Sequence, residues 1–250
     1  MKTFPVLRLG EVDSTNRYAL RNLHALPDRQ VIVAERQTAG YGRLGRTWVS
    51  HIPGNLYMSI VLKPSKQLKN PSALPTLSLY LSVTLCKLLL EYGVEAKIKW
   101  PNDVLVDGEK IAGILGEGSF LGDELRGYVL GIGVNLSMDR EGIAFIDQPA
   151  TSLGLLMGTV VDRDVFLSRL LWGFSAGYEQ FLERGFSMIK QYYMEKCSFL
   201  RERIAVTVGG SRYSGIAQSF SDLGALVLRT AEGKVIVMNA GEVEALRTVQ

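Results

Sequence analysis

Lys97-Ile98-Lys99-Trp100-Pro101-Asn102-Asp103, followed by Lys110-Ile111-Ala112-Gly113-Ile114-Leu115, is the stretch on which the reading of this chain turns. Two short extended runs, 97–100 and 103–106, flank a Pro-Asn step. Pro101 has no backbone N–H and biases Trp100 toward an extended conformation. Asn102 and Asp103 then fall at a strand-to-strand bend, where side chains are free to face a ligand. Lys110 opens an apolar strand over 110–116, so its ammonium is expected at the margin of a core. A lysine so placed either snorkels to water or supplies a fixed cation, held on rigid sheet, against charge that develops in a reaction.

Further strands are expected over 31–34, 56–62 and 128–136. Helices are expected from a cap at Asp13 or Ser14 toward His24, over 72–92 before Gly93, and over 151–157, 163–184 and 186–199. The apolar run 73–90 is long enough to test as a membrane span, but it carries Pro75, Thr76, Ser78, Ser82, Thr84 and Lys87, and reads as a buried core helix. From Arg201 the texture changes. Ile204-Val206-Val208, Ala225-Val227 and Val235-Val237 alternate between Gly209-Gly210, Gly215, Gly224 and Gly233, which suggests a small β-barrel. The pattern predicts an α+β domain over 1–200, a mixed sheet flanked by helices, with a β appendage over 201–250.

Composition bounds the function classes. The 250 residues are 47% hydrophobic and 21% charged, ordinary globular values that exclude wholesale disorder. A net charge of +3 is too mild to mark a nucleic-acid binder. Charge is nevertheless uneven: no Asp or Glu occurs between residues 36 and 90, where Arg36, Arg43, Arg46, Lys63, Lys66, Lys69 and Lys87 fall. That is either a solvated basic face or a site for a small anion. Cys86 and Cys197, without a CxxC, point to neither a disulfide framework nor structural zinc, and fit a reducing cytoplasm.

Three other segments carry chemistry. Gly40-Tyr41-Gly42-Arg43-Leu44-Gly45-Arg46 matches GxGxxG, but residues 46–50 start no helix and no acid follows until Glu91, so a dinucleotide-binding turn is disfavoured. What remains is a flexible glycine loop carrying two guanidinium groups suited to phosphate or carboxylate. Glu11-Val12-Asp13-Ser14-Thr15-Asn16 sits at a strand-to-helix junction, and a helix cap explains one of its hydrogen-bonding side chains but not three. Gly131-Ile132-Gly133-Val134-Asn135 alternates glycines in a strand, the mark of close approach by a backbone or a ligand.

Taken together and in this order, these segments resemble the biotin–protein ligases. The resemblance rests on 13–16, on 35–48, on Gly54-Asn55-Leu56-Tyr57, on 99–103 with 110–115, and on 131–135. It implies a class II synthetase-like catalytic fold with a small SH3-like C-terminal domain. It implies an ATP-dependent enzyme that forms biotinyl-5′-AMP from biotin and ATP, with Mg²⁺, then passes biotin to a lysine of a biotin carboxyl carrier protein. Carried over residue by residue, Lys110 and Arg43 are catalytic. Ser14, Thr15, Asn16, Gln37, Gly40, Tyr41, Gly42, Gly113, Leu115, Gly131 and Gly133 line biotin together with Arg43 and Lys110. Arg46, Trp48, Asn102, Asp103 and Asn135 join Arg43 and Lys110 around the nucleotide. The metal ligands are left open.

Two departures stand out. The commoner loop reads GRGRxGR, and here Tyr41 replaces its first arginine. The Ser-Thr-Asn segment begins at residue 14, leaving no room before it for the family's repressor domain, so a ligase that does not bind DNA is expected. A lipoate ligase of the same fold and a nucleic-acid-binding regulatory module are the competing readings. No membrane partner is expected, and strand 128–136 is a candidate for pairing across a sheet edge into a homodimer.

Overall fold

The computed structural model describes residues 4–64 and 70–245. Lys66 and Lys69 of the basic stretch lie outside the described residues. The chain runs β1 (Val6–Val12), α1 (Thr15–Arg21), β2 (Val31–Gln37), β3 (Leu56–Leu62), α2 (Leu77–Glu91), β4 (Lys97–Lys99), β5 (Asp103–Val106), β6 (Glu109–Leu121) and β7 (Glu124–Val134). It continues through α3 (Arg140–Ile143), α4 (Leu153–Met157), α5 (Arg163–Arg184), α6 (Lys190–Lys196), β8 (Arg203–Val208), β9 (Ser211–Phe220), β10 (Leu226–Arg229), β11 (Val235–Met238) and β12 (Glu242–Ala245).

Seven strands form one mixed sheet in the order β1-β2-β3-β7-β6-β5-β4. Only β1 and β2 run parallel; every other pair is antiparallel. This pattern excludes the doubly wound dinucleotide fold. Both faces of the central strands are covered, which is why all seven residues of β3 are buried. Ile32, Val61 and Val129 meet Ala19 and Leu23 on the α1 side. Their neighbours Val31, Ile60 and Leu130 point the other way, into the core under α2 and α5, as period-two alternation requires.

The 72–92 helix divides. Pro71–Thr76 winds as a 3₁₀ turn containing Pro75, and the α-helix begins at Leu77. Its run 71–91 is long and apolar enough to cross a membrane, yet 78% of that window is buried inside this protein, as a core helix is. The 186–199 helix is likewise broken, into a 3₁₀ turn at Gly185–Met188 and α6. The first helix stops at Arg21, short of His24, because Asn22 turns its amide back onto the Tyr18 carbonyl. Helix α5 has the predicted bounds, held by the Asp162 cap.

A second, antiparallel sheet takes the order β11-β10-β9-β8-β12, in keeping with an SH3-like unit. Gly209-Gly210, both at positive φ, make the two-residue hairpin between β8 and β9 that L side chains resist. Strands β9 and β12 add to those anticipated. The unit is no loose appendage. Phe220 stacks edge-on against Tyr193 at 5.1 Å, and Trp100 donates its indole N–H to the Gly224 carbonyl at 3.1 Å.

The expectation that strand 128–136 pairs across a sheet edge is corrected. β7 lies inside the sheet, bonded to β3 on one side and β6 on the other, and the edges are β1 and β4.

Candidate active site

A cleft of about 970 Å³ opens where the starts of α1 and β6, the β4–β5 bend, the glycine loop and the β12 end of the second sheet meet. Its walls carry Arg43, Arg46, Lys99 and Lys110 against Asp103 and Glu242, an excess of cations suited to an anionic ligand.

At one end lies a buried polar cluster. Ser14, Thr15, Asn16 and Gln37 are each no more than 9% exposed. Ser14 caps α1 by accepting from the Arg17 N–H, which leaves Thr15 and Asn16 on the first turn to face inward. Thr15 donates its N–H to Gln37 Oε1 at 2.8 Å, and its hydroxyl lies 3.2 Å from the same oxygen. Ser59, a hydroxyl in an otherwise apolar strand, reaches Thr15 Oγ1 at 2.7 Å and Asn16 Oδ1 at 2.5 Å. Such a network survives in a core only when its members satisfy one another or a ligand.

The glycines explain themselves at this point. A Cβ on Gly131 would sit 2.2 Å from Asn16 Oδ1, and one on Gly133 2.4 Å from the Trp48 indole. Gly113 would meet that indole at 2.9 Å and Lys110 Cε at 3.3 Å. Two adjacent strands thus omit side chains so that Asn16 and Trp48 can lie flat on the sheet.

Lys110 Nζ stands 2.8 Å from Asp103 Oδ1 and 5.3 Å from the Trp48 ring centroid. With 14% of its side chain exposed it does not snorkel to water. Strand pairing holds both partners: β5 lies against β6, and the Lys110 N–H donates to the Pro149 carbonyl.

The glycine loop closes on itself. Tyr41 and Thr47 form a β-bridge, and the Gly42 N–H donates to the Arg46 carbonyl at 2.7 Å. Arg43 Nη1 donates to the Gly241 carbonyl at 3.2 Å and to Asn102 Oδ1 at 3.4 Å, while Arg46 pairs with Glu242 at 2.6 Å. Burial pulls the Arg43 guanidinium below its usual range, with Asp103 and Glu242 opposing and Arg46 adding to the fall.

An adjoining cavity of about 1180 Å³ shares Arg46, Thr47, Trp48, Lys110 and Gln148 with the cleft and continues to Asn135, Phe145 and Ala150. Asn135 is 2% exposed; its amide donates to the Thr151 carbonyl at 3.1 Å. Asn135 Oδ1 and Trp48 Nε1 have no protein partner. Both atoms are buried, the indole N–H pressed against Gly133 of β7, so it is the Trp48 ring face rather than its N–H that the two cavities share.

Residues 9–135 match the biotin/lipoate A/B protein ligase family. The chain is 35% identical over 234 residues to the biotin–[acetyl-CoA-carboxylase] ligase of Paracoccus denitrificans, covering 92% of this chain and 96% of that one. The chain belongs to the biotin/lipoate A/B protein ligase family. Over 230 residues it is also 33% identical to the bifunctional ligase/repressor of Bacillus spizizenii, spanning 89% of this chain but 68% of the relative. The biotin protein ligase of Aquifex aeolicus, solved in complex with biotin and ATP, superposes with a TM-score of 0.81 at 31% identity, covering 98% of this chain and 99% of that one.

Of the residues expected to form a ligase site, sixteen line the one cleft: Ser14, Thr15, Asn16, Gln37, Tyr41, Gly42, Arg43, Arg46, Trp48, Asn102, Asp103, Lys110, Gly113, Leu115, Gly131 and Gly133. Two do not. Gly40 packs behind the loop, where a Cβ would strike Ser50 Oγ at 2.3 Å, and Asn135 faces the adjoining cavity. Sequence reasoning missed Ser59, Glu117, Lys99, Gln148 and Gly241–Val243. Ser59 had a signal, a lone serine in LYMSIVL. The 241–243 segment had none, because only the docking of the second sheet brings it there.

Proposed function

We propose that the chain is an ATP-dependent biotin–protein ligase. The carrying observation is the position of Lys110, on the wall between a cavity floored by buried hydrogen-bonding side chains and one lined by Asn135 and Trp48. A carboxylate and a triphosphate repel, and an ammonium fixed between them offsets that repulsion where the transition state concentrates charge.

In the first half-reaction a biotin carboxylate oxygen attacks the α-phosphorus of ATP. The new O–P bond forms as the bond to the β-phosphate oxygen breaks, and pyrophosphate leaves. Lys110 bridges the two reacting groups and Arg43 steadies the phosphoryl oxygens. In the second, a neutral lysine amine of a carrier domain attacks the acyl carbon, the acyl–oxygen bond breaks, AMP leaves with that bond's electron pair, and the nitrogen gives up one proton to water as the amide forms. The loop keeps water from the anhydride between the two steps.

Thr15, Asn16 and Gln37, with Ser59 behind them, suit the ureido ring, whose two N–H donors and one carbonyl need partners when buried. A dithiolane offers none, so lipoate would gain no hydrogen bonds from this cluster, whereas a ureido ring would. The Trp48 ring and the cavity that runs from it toward Asn135 suit the flat adenine base.

Among the described residues no three His, Cys, Asp or Glu side chains gather around a metal position. Asn102 and Asp103 nevertheless offer oxygen donors in the cleft, which fits magnesium brought in on the triphosphate rather than held in a protein cage. When bound, that ion would neutralise the leaving pyrophosphate.

The same reading assigns catalysis to 1–200 and an SH3-like unit to 201–250, a carboxyl carrier protein as acceptor and, from the buried free thiols Cys86 and Cys197, a reducing cytoplasm. Pyrophosphate release in the presence of ATP and biotin, lipoate or octanoate tests the assignment. Release with biotin alone is expected; release with lipoate or octanoate but not biotin overturns it.

A further inference from the structure

Tyr41, the residue that departs from the commoner arginine loop, donates its hydroxyl to Glu117 Oε2 at 2.7 Å. The same oxygen accepts from Asn16 Nδ2 at 2.6 Å. Glu117 therefore holds one side chain of the buried polar cluster and one of the glycine loop. Neither partner is incidental. Tyr41 and Thr47 form the bridge at the base of the loop from which Arg43 and Arg46 extend, so a restraint on the phenol is a restraint on the loop. Asn16 is surrounded by the Ser59 hydroxyl and the Leu115 carbonyl, and a hydroxyl can donate or accept. The acceptor-only carboxylate fixes which end of the Asn16 amide faces Ser59.

We propose that Glu117 is a positioning residue that couples occupancy of the polar pocket to seating of the arginine loop, through a hydrogen bond this chain uses where the commoner loop carries a cation. Burial and Glu117 both push the Tyr41 phenol well above its usual range, so it stays a neutral donor at physiological pH. The Arg17 guanidinium lies 4.6 Å over its ring and holds the phenol in place. Seating of the loop strengthens the grip on the head group, and by reciprocity the head group seats the loop. Because the donor is neutral, the coupling resists salt, whereas an arginine–glutamate pair at this half-exposed position would be screened.

The inference rests on the biotin-ligase reading, and the test separates the two. Tyr41→Phe, Glu117→Gln and the double variant are compared with the wild-type chain for the biotin dissociation constant, for labelling of bystander lysines by escaped adenylate, and for tryptic cleavage after Arg43 and Arg46 without ligand. Each single variant is expected to raise all three about tenfold, the size of a lost donor to a carboxylate. The double variant is expected to do no more, at low and at high salt alike. Singles that multiply in the double, or singles that leave cleavage at the loop unchanged, overturn the proposal. A wild-type chain that makes no biotinyl-adenylate overturns the functional reading, while the tryptic cycle still decides the latch.

Discussion

Arg46 Nη2 lies 2.6 Å from Glu242 Oε1, an ion pair that joins the glycine loop to the first residue of β12. With 69% and 37% of the two side chains exposed, such a pair adds about 0–1 kcal/mol at most. That is too little to matter to the docking of the second sheet, which already rests on Phe220 against Phe186 and Tyr193. Its consequence is positional: with the Arg43–Gly241 hydrogen bond it sets where the loop rests over the cleft.

Glu242→Gln should therefore leave the melting midpoint nearly unchanged while raising the KM for ATP by roughly two- to fivefold, the range of a partly exposed charge contact. Raising the salt concentration should move the wild type toward the variant. Steady-state kinetics at two salt concentrations check this.

Lys110→Ala should lower biotin-dependent pyrophosphate release by roughly 100-fold or more, the usual loss when a preorganised stabiliser of transition-state charge is removed. The far-ultraviolet circular dichroism should be unaltered, because the lysine packs no core. Turnover within a few fold of wild type would remove Lys110 from the mechanism.

Gly131→Ala and Gly133→Ala should separate the two halves of the site. The first places a methyl 2.2 Å from Asn16 Oδ1 and should weaken biotin binding, leaving ATP binding largely intact. The second places it 2.4 Å from the Trp48 indole, which both cavities share, and should weaken both ligands. Calorimetric titration with each ligand gives the comparison, with losses of roughly tenfold expected from displaced contacts.

The pair of hydrogen bonds from Arg21 holds the Asp13 carboxyl down at about 2 against an ordinary 3.8, partial burial opposing. A depressed carboxyl stabilises the fold fully above its unfolded value, and that contribution is lost as pH falls from about 4 through about 2. Asp13→Asn should lower stability slightly at neutral pH, a small amplitude because both side chains meet solvent, and the two proteins should converge as pH falls toward about 2. Denaturant midpoints of the two proteins across this range measure the difference.

How much of this could be read beforehand depends on whether the cause was local. Pro101 and the run after Lys110 dictate a bend and a strand through backbone chemistry alone, and both stand where expected. Helix α5 has the bounds expected for 163–184, with Asp162 as its N-cap. Strand β9 escaped because Ser211, Arg212, Ser214 and Gln218 present a polar outer face that reads as loop. The division at Gly185, at φ 61, fell where expected, but residues 185–188 wind as a 3₁₀ turn, so the helix expected over 186–199 spans only Lys190–Lys196. In the site, motif residues converged, whereas Glu117 and Glu242 reach it through a strand partner and a docked sheet. Pairings so distant in sequence leave no trace in spacing.

The central claim is that this cleft joins biotin to a protein lysine through an adenylate. Mass spectrometry of a carboxyl carrier domain incubated with the chain, biotin and Mg-ATP tests it most directly. One biotinyl group on one carrier lysine, with one AMP released per transfer and no modification when lipoate replaces biotin, is the result predicted. An unmodified carrier with biotin, or a carrier that takes lipoate in its place, would contradict it.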